Sequence, residues 1–110
     1  METRLNKLQR EVLEKAFPLI QNPDTFTKDY LARDEGNIPI EPTNPHAVCW
    51  CSVGAVMKVA NDMGVDYADI VYNMHEVARV ATGGVMSVSE VNDRRSHAAV
   101  VQFWKDYLLK

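Results

Sequence analysis

The chain has 110 residues, 46% of them hydrophobic and 25% charged, with a formal net charge of -3. That composition describes one ordinary globular domain, 1–110, large enough to bury a core without staples. It leaves out disorder, because Gly and Pro are few, and nucleic-acid binding, because no basic stripe exists beyond the doublet Arg94-Arg95. Apolar runs fall far short of the ~20 residues of a membrane span. The opening METRLNKLQREVLEKAF has helical rather than signal-peptide character. Two cysteines one residue apart cannot close a useful loop, which predicts a reducing, cytoplasmic setting.

In chain order, residues 3–21 are predicted as an amphipathic helix. Leu5, Leu8, Val12, Leu13, Ala16, Phe17 and Ile20 form one stripe, with Glu11 and Lys15 four apart on the wet face. Pro18 should loosen its last turn, and Asn22-Pro23 ends it. Next comes a predicted irregular β-hairpin, 31–33 against 38–40, turning at Asp34-Glu35-Gly36-Asn37, with Pro39 confining its strand to an edge. Asn44-Pro45 reads as a cap followed by a first helical residue, so a central helix is expected over 45–63, stopped by Gly64. Gly54 and Ala55 give that helix a thin side.

Asp66 is expected to cap a third helix, with Tyr67, Ile70, Val71, Met74, Val77, Ala78 and Ala81 inward and Gly83-Gly84 as its end. Residues 85–91 alternate like a strand, while Ser87 and Glu90 make a capping-box pattern, so both assignments stand. The last helix starts at Ser96, with His97, Val100, Val101, Trp104, Tyr107 and Leu108 on its buried stripe. The fold class is thus α+β, mainly α: about four helices around one core with a short β-hairpin.

Chemistry, if any, centres on VCWCSVGAVMKV, residues 48–59. A structural zinc site wants four N or S ligands, commonly in C-x(2–4)-C spacing. Here Cys49 and Cys51 on one helix would project about 200° apart, and His46, His75 and His97 complete no set. No metal and no cofactor are expected, since P-loop, dinucleotide and H-E-x-x-H signatures are missing. A thiol nucleophile is the sharper idea: Cys51 attacking, His97 holding the proton, Asn92 or Asp93 orienting the ring. Against it, free cysteine is commonly buried and Cys51 lies on a core-facing stripe; packing is the stronger reading. His97 is somewhat better explained as a partly buried histidine on a carbonyl. Asn92-Asp93 fits turn chemistry, Arg33-Asp34 an exposed ion pair, and His46 and His75 surface positions. Trp50 and Trp104 are anchors, either able to stack on a planar ligand.

Leu31-Ala32-Arg33-Asp34 with Gly36, Trp50-Cys51-Ser52-Val53-Gly54-Ala55, Asn92-Asp93 and Ser96-His97 occur in that order. As an ordered set they resemble a family of small uncharacterised bacterial and phage proteins, a domain of unknown function, over roughly residues 5–108. The resemblance brings no activity. It implies that Arg33, Asp34, Cys51, Asn92, Asp93 and His97 gather in space, with Trp50 beside them as a ligand-binding candidate. Val91 stands where that family's pattern has tryptophan, which removes an aromatic wall there. Three functions follow from the sequence. The first is a non-catalytic module binding a protein or small ligand, phage-encoded or carried on mobile DNA. The second is a cysteine-dependent hydrolase or transferase using Cys51 and His97. The third is a homo-oligomerising domain with Trp104 and Tyr107 between subunits.

Overall fold

The computed structural model describes residues 5–110. Helix α1 (Lys7–Gln21) begins at Asn6, whose side chain accepts from the Gln9 amide while the Gln9 side chain accepts from the Asn6 amide. This reciprocal capping box fixes the start of the helix; positions 3 and 4 of the expected helix lie outside the described residues. Val12, Leu13, Ala16 and Ile20 are buried, but Leu8, expected on the stripe, is 50% exposed. Pro18 sits inside the helix on its exposed side, and the Asn22 amide still reaches the Pro18 carbonyl. Glu11 and Lys15 make no ion pair among the described residues.

The hairpin is rearranged relative to expectation. Strand β1 (Ala32–Arg33) pairs antiparallel with β2 (Cys49–Trp50), Ala32 opposite Trp50 and Arg33 opposite Cys49. The predicted partner 38–40 contributes a single bridge, Arg33 to Pro39, with the Ile40 amide donating to the Ala32 carbonyl. The turn between them does form. Asp34 Oδ1 accepts from the amides of Gly36 and Ile38, and Asn37, not Gly36, takes the left-handed conformation at φ 64°. An aspartate folding its own turn in this way leaves Pro39 on the outer edge, where its missing N–H costs no ladder bond.

Helix α2 (Ser52–Met63) starts seven residues later than Pro45. The Asn44-Pro45 pair, despite its helix-start chemistry, forms a turn in which Asn44 Oδ1 accepts from the His46 amide. Long-range pairing overrides the local signal. Trp50 N–H donates to the Thr25 carbonyl and the Thr27 N–H to the Trp50 carbonyl, holding 49–50 extended. The end of the helix is as expected, at Gly64 in a left-handed conformation. From Ser52 to Val56 every residue is buried, which makes α2 the central helix. Its thin side is used: a Cβ on Gly54 would lie 1.9 Å from the Leu31 carbonyl oxygen.

Helix α3 (Ala68–Ala81) buries Ile70, Met74 and Ala78. Asp66 Oδ1 accepts from the Ala68 amide just outside it, while Tyr67, expected on the stripe, is 42% exposed. Gly83 and Gly84 both have positive φ and close the helix, the Gly84 amide reaching the Arg79 carbonyl. The undecided segment becomes a fifth helix, α4 (Val88–Arg94), opened by a capping box of Ser87 and Glu90. Helix α5 (His97–Phe103) starts at Ser96 and continues as a π-helical turn, Trp104–Leu108. The wider turn changes which residues face inward. Trp104 and Leu108 are buried, but Tyr107 is 49% exposed.

Candidate functional site

The Trp50-Cys51-Ser52 segment crosses from strand to helix, so its three side chains meet three surroundings. Trp50 is 6% exposed, its Nε1 donates to the Pro42 carbonyl at 2.9 Å, and the Lys58 ammonium lies 5.7 Å from its ring centre. The indole is an anchor with its one donor used.

Cys51 is the N-cap residue of α2. Its Sγ accepts from the Gly54 amide at 3.3 Å and its own amide donates to the Leu31 carbonyl. A helix N-terminus usually lowers a thiol's pKa. Here burial dominates and pushes the Cys51 thiol up, against the lowering effect of the Gly54 and Val53 amides. The residue is 7% exposed. A neutral, buried thiol used as a capping acceptor is a weak nucleophile. Cys49 lies on β2, half-buried, with its Sγ at 4.0 Å from the Arg33 carbonyl. The two thiols are therefore not two positions of one helix, as the metal argument had assumed. Both are free, and among the described residues no group of three or more His, Cys, Asp or Glu is placed to hold a metal.

His97 points elsewhere. Its Nε2 is 2.7 Å from the Ile20 carbonyl, and its ring lies against Phe26 with centres 4.7 Å apart. No hydrogen bond joins it to Cys51, Asn92 or Asp93 among the described residues. The histidine ties the start of α5 to the end of α1.

The motif residues that do converge form a buried hydrogen-bonded cluster. Asn92, 1% exposed, accepts through Oδ1 from both the Ser52 amide (2.9 Å) and the Ser52 hydroxyl (2.7 Å). Its Nδ2 donates to the Thr27 carbonyl and to Asp93 Oδ1. Trp104 Nε1 donates to the Ser52 hydroxyl at 3.0 Å. Asp93 Oδ1 also accepts from the amide of Asp29, a residue at φ 71°, and Lys28 Nζ donates to the Arg95 carbonyl. Every buried side-chain nitrogen and oxygen among the described residues has a partner. Asn92 thus caps α2 from another helix and pins the 27–29 loop to α4. Ser52, Thr27 and the Trp104 indole were not visible as its partners in sequence; the only local signal is a serine opening an apolar run.

Arg33 and Asp34 are not an ion pair. The Arg33 guanidinium donates to Thr27 Oγ1, the Lys28 carbonyl and the Asn37 carbonyl, and lies 4.6 Å from the Tyr30 ring centre. Through Thr27 and Lys28 it adjoins the Asn92–Asp93 cluster, whereas Asp34 turns outward into its own loop. Of the six residues expected together, Arg33, Asn92 and Asp93 share the 27–29 loop, and Cys51 joins them through its neighbour Ser52. His97 and Asp34 face different surroundings. His75, expected on the surface, is half-buried and accepts from the Val88 amide through Nδ1 at 3.3 Å.

A surface groove of about 330 Å³ lies beside this scaffold, between Asp34, Glu35 and Gly36 on one side and Pro45, His46 and Val48 on the other. Among the described residues no helix is long and apolar enough to cross a membrane.

The chain belongs to a family of unknown function, DUF6197, whose model matches residues 6–106 and so takes in all of these motif residues. No curated protein and no solved structure is significantly similar to it.

Proposed function

We propose that this member of the family is a non-catalytic interaction module for a protein or small ligand, working in a reducing compartment where its two thiols stay free. The observation that carries this is the commitment of the reactive-type side chains to the fold. The Cys51 sulfur caps α2, and the His97 imidazole holds the Ile20 carbonyl. A catalytic pair needs its nucleophile and base within hydrogen-bond reach, with the base oriented by a third group. Here Asn92 and Asp93, the candidates for that third role, orient Ser52 and the 27–29 loop instead. The motif is the frame of a small domain, and its exposed loops are free to vary in what they contact.

The oligomerising reading has less support: of its two residues Tyr107 is half-exposed, but Trp104 is fully buried within the single chain and is unavailable between subunits. The test is the rate of alkylation at Cys51 in a Cys49→Ser background, followed against pH with and without urea. The proposal expects protection in the native state and rapid labelling only on unfolding. Rapid native labelling near neutral pH that slows on His97→Ala would overturn it in favour of the thiol enzyme.

A further inference from the structure

The first amide of α4 is capped from another helix. The opening amides of any helix lack an acceptor within it. In α4 the Glu90 amide is taken by Ser87 Oγ and the Val91 amide by the Ser87 carbonyl, both local. The Val88 amide, the first of the helix, is taken instead by Nδ1 of His75, thirteen positions back on α3, at 3.3 Å. A backbone amide can only donate, so this bond fixes the ring as neutral, with its proton on Nε2. Protonation would set a second N–H against the Val88 N–H. It would also place a positive charge at the amide end of α4, where the free N–H dipoles oppose it.

The segment joining the two helices is built to yield. It opens with Gly83 and Gly84, both at positive φ with empty space around them, and Val85 is 73% exposed. Its other side-chain tie, the Met86 amide donating to Thr82 Oγ1, does not titrate near neutral pH. The far part of α4 is fixed, because Val91 is buried and Asn92 is bonded to Ser52 and Thr27. Charge gives the ring little help. Glu76 and Arg79, paired with each other on α3, are the two charged groups that act on it, and only Glu76 favours the imidazolium. On α4, Glu90 is occupied by the Ser87 amide and Arg94, and Asp93 by the Asp29 amide and Asn92. On the other elements packed against α3, Lys58 pairs with Asp62, and Asp106 accepts from Gln102.

We propose that His75 is a proton-operated latch on the α3–α4 junction. The neutral ring caps the Val88 amide and holds the 83–88 loop closed; the protonated ring loses that bond, and the loop swings out on Gly83-Gly84 with the first turn of α4. The latch is closed above the ordinary imidazole value of 6.5 and opens as pH falls through the lower value that burial and Arg79 give the folded ring. Opening uncovers two apolar side chains, the half-buried Met86 and the buried Val88. The inference does not depend on the reading of the chain as an interaction module.

Nuclear magnetic resonance of the full chain from about pH 8 to about pH 5, a range spanning the ordinary imidazole value, tests it. The imidazole nitrogens report the tautomer, and the backbone amides report shifts and hydrogen-exchange protection corrected for intrinsic pH dependence. At the alkaline end His75 should carry its proton on Nε2. As its ring titrates, the Val88 amide should shift and lose protection, with changes confined to 82–90. The two readouts are linked, because each unit of depression in the closed state is a tenfold gain in the open population once the ring is protonated. A folded midpoint one unit below 6.5 therefore predicts about a tenfold loss of Val88 protection. His75→Gln, whose side-chain oxygen accepts at any pH, should abolish the step. Four outcomes overturn the inference: a proton on Nδ1 at neutral pH, a Val88 amide indifferent to the ring's titration, a step spread over the whole chain, or an undiminished step in His75→Gln. The tautomer is read on the unaltered chain, so a loosened variant does not blunt the test.

Discussion

Replacing Asn92 with alanine should remove much of the stability of the domain without touching its surface. The side chain is 1% exposed and makes four hydrogen bonds, two accepted from Ser52 and two donated to Thr27 and Asp93. Truncation leaves the first amide of α2 buried without its acceptor, and the Ser52 hydroxyl without its own. Each buried donor so stranded costs about 1–3 kcal/mol, so the two together give about 2–6 kcal/mol. Against the ~5–15 kcal/mol typical of such a domain, that is a large fraction. At about 4–6 °C per kcal/mol for this size, Tm should fall by roughly 8–36 °C. Urea denaturation followed by circular dichroism reads the loss directly. A cycle with Ser52→Ala then tests the network, since the pair should couple by about 1 kcal/mol or more. A loss below about 1 kcal/mol for Asn92→Ala, or strict additivity with Ser52→Ala, would refute the view that this asparagine holds α2, α4 and the 27–29 loop together.

Gly54→Ala should destabilise by about 3 kcal/mol or more in the same assay, although helix propensity alone favours alanine by about 1 kcal/mol. The new Cβ would sit 1.9 Å from the Leu31 carbonyl oxygen, a backbone atom held in place by the Cys51 amide. Cys51→Ser should be tolerated within about 1 kcal/mol, because a hydroxyl caps the Gly54 amide at least as well as a thiol. Burial, then the nearby Arg79, depresses the pKa of His75 below its ordinary 6.5, so its unfolded form binds the proton first. Stability from this site is therefore complete above pH 6.5 and falls as pH drops through the depressed folded-state value. Urea midpoints against pH should show a drop that shrinks in His75→Gln. The raised thiol of Cys51 has the opposite window: its contribution is complete below pH 9.0 and declines as pH rises past it. Native Cys51→Ser should lack that alkaline decline.

Legibility in the sequence followed the range of the interactions. The starts of α5 at Ser96 and of α4 at Ser87 are set by side chains bonding amides three residues on; the first was readable outright, whereas the Ser87 signal competed with a strand-like alternation and left that segment undecided. Gly64 and the Gly83-Gly84 end of α3 were likewise readable outright. The start of α2 was misplaced because Asn44-Pro45 carries the local chemistry of a helix start, while Trp50 is held extended by Thr25 and Thr27, more than twenty positions away. For the same reason β1 took β2 rather than 38–40 as its ladder partner. Tyr107 faces solvent because the final turns widen into a π-helix, a change in period that a 3.6-residue stripe cannot anticipate. In the candidate site, sequence order picked Arg33, Asp34, Cys51, Asn92, Asp93 and His97, of which Asp34 and His97 face elsewhere, and it did not single out Ser52, the residue through which Cys51 adjoins the others.

That omission changes what the motif means. Ser52 links an asparagine from α4 and an indole from the last helix to the first turn of α2, and both partners are forty or more positions away. Gly54, two residues on, admits the Leu31 backbone just before β1 against the same helix end. Cys51 caps between them. The Trp-Cys-Ser-x-Gly-Ala run is then a device for seating one helix end under a strand, and Arg33 and Asn92-Asp93 lock the 27–29 loop across it. Such a device fixes geometry tightly and demands particular residue types for steric and hydrogen-bonding reasons alone. On the proposed reading, specificity of function is left to the exposed side chains outside it.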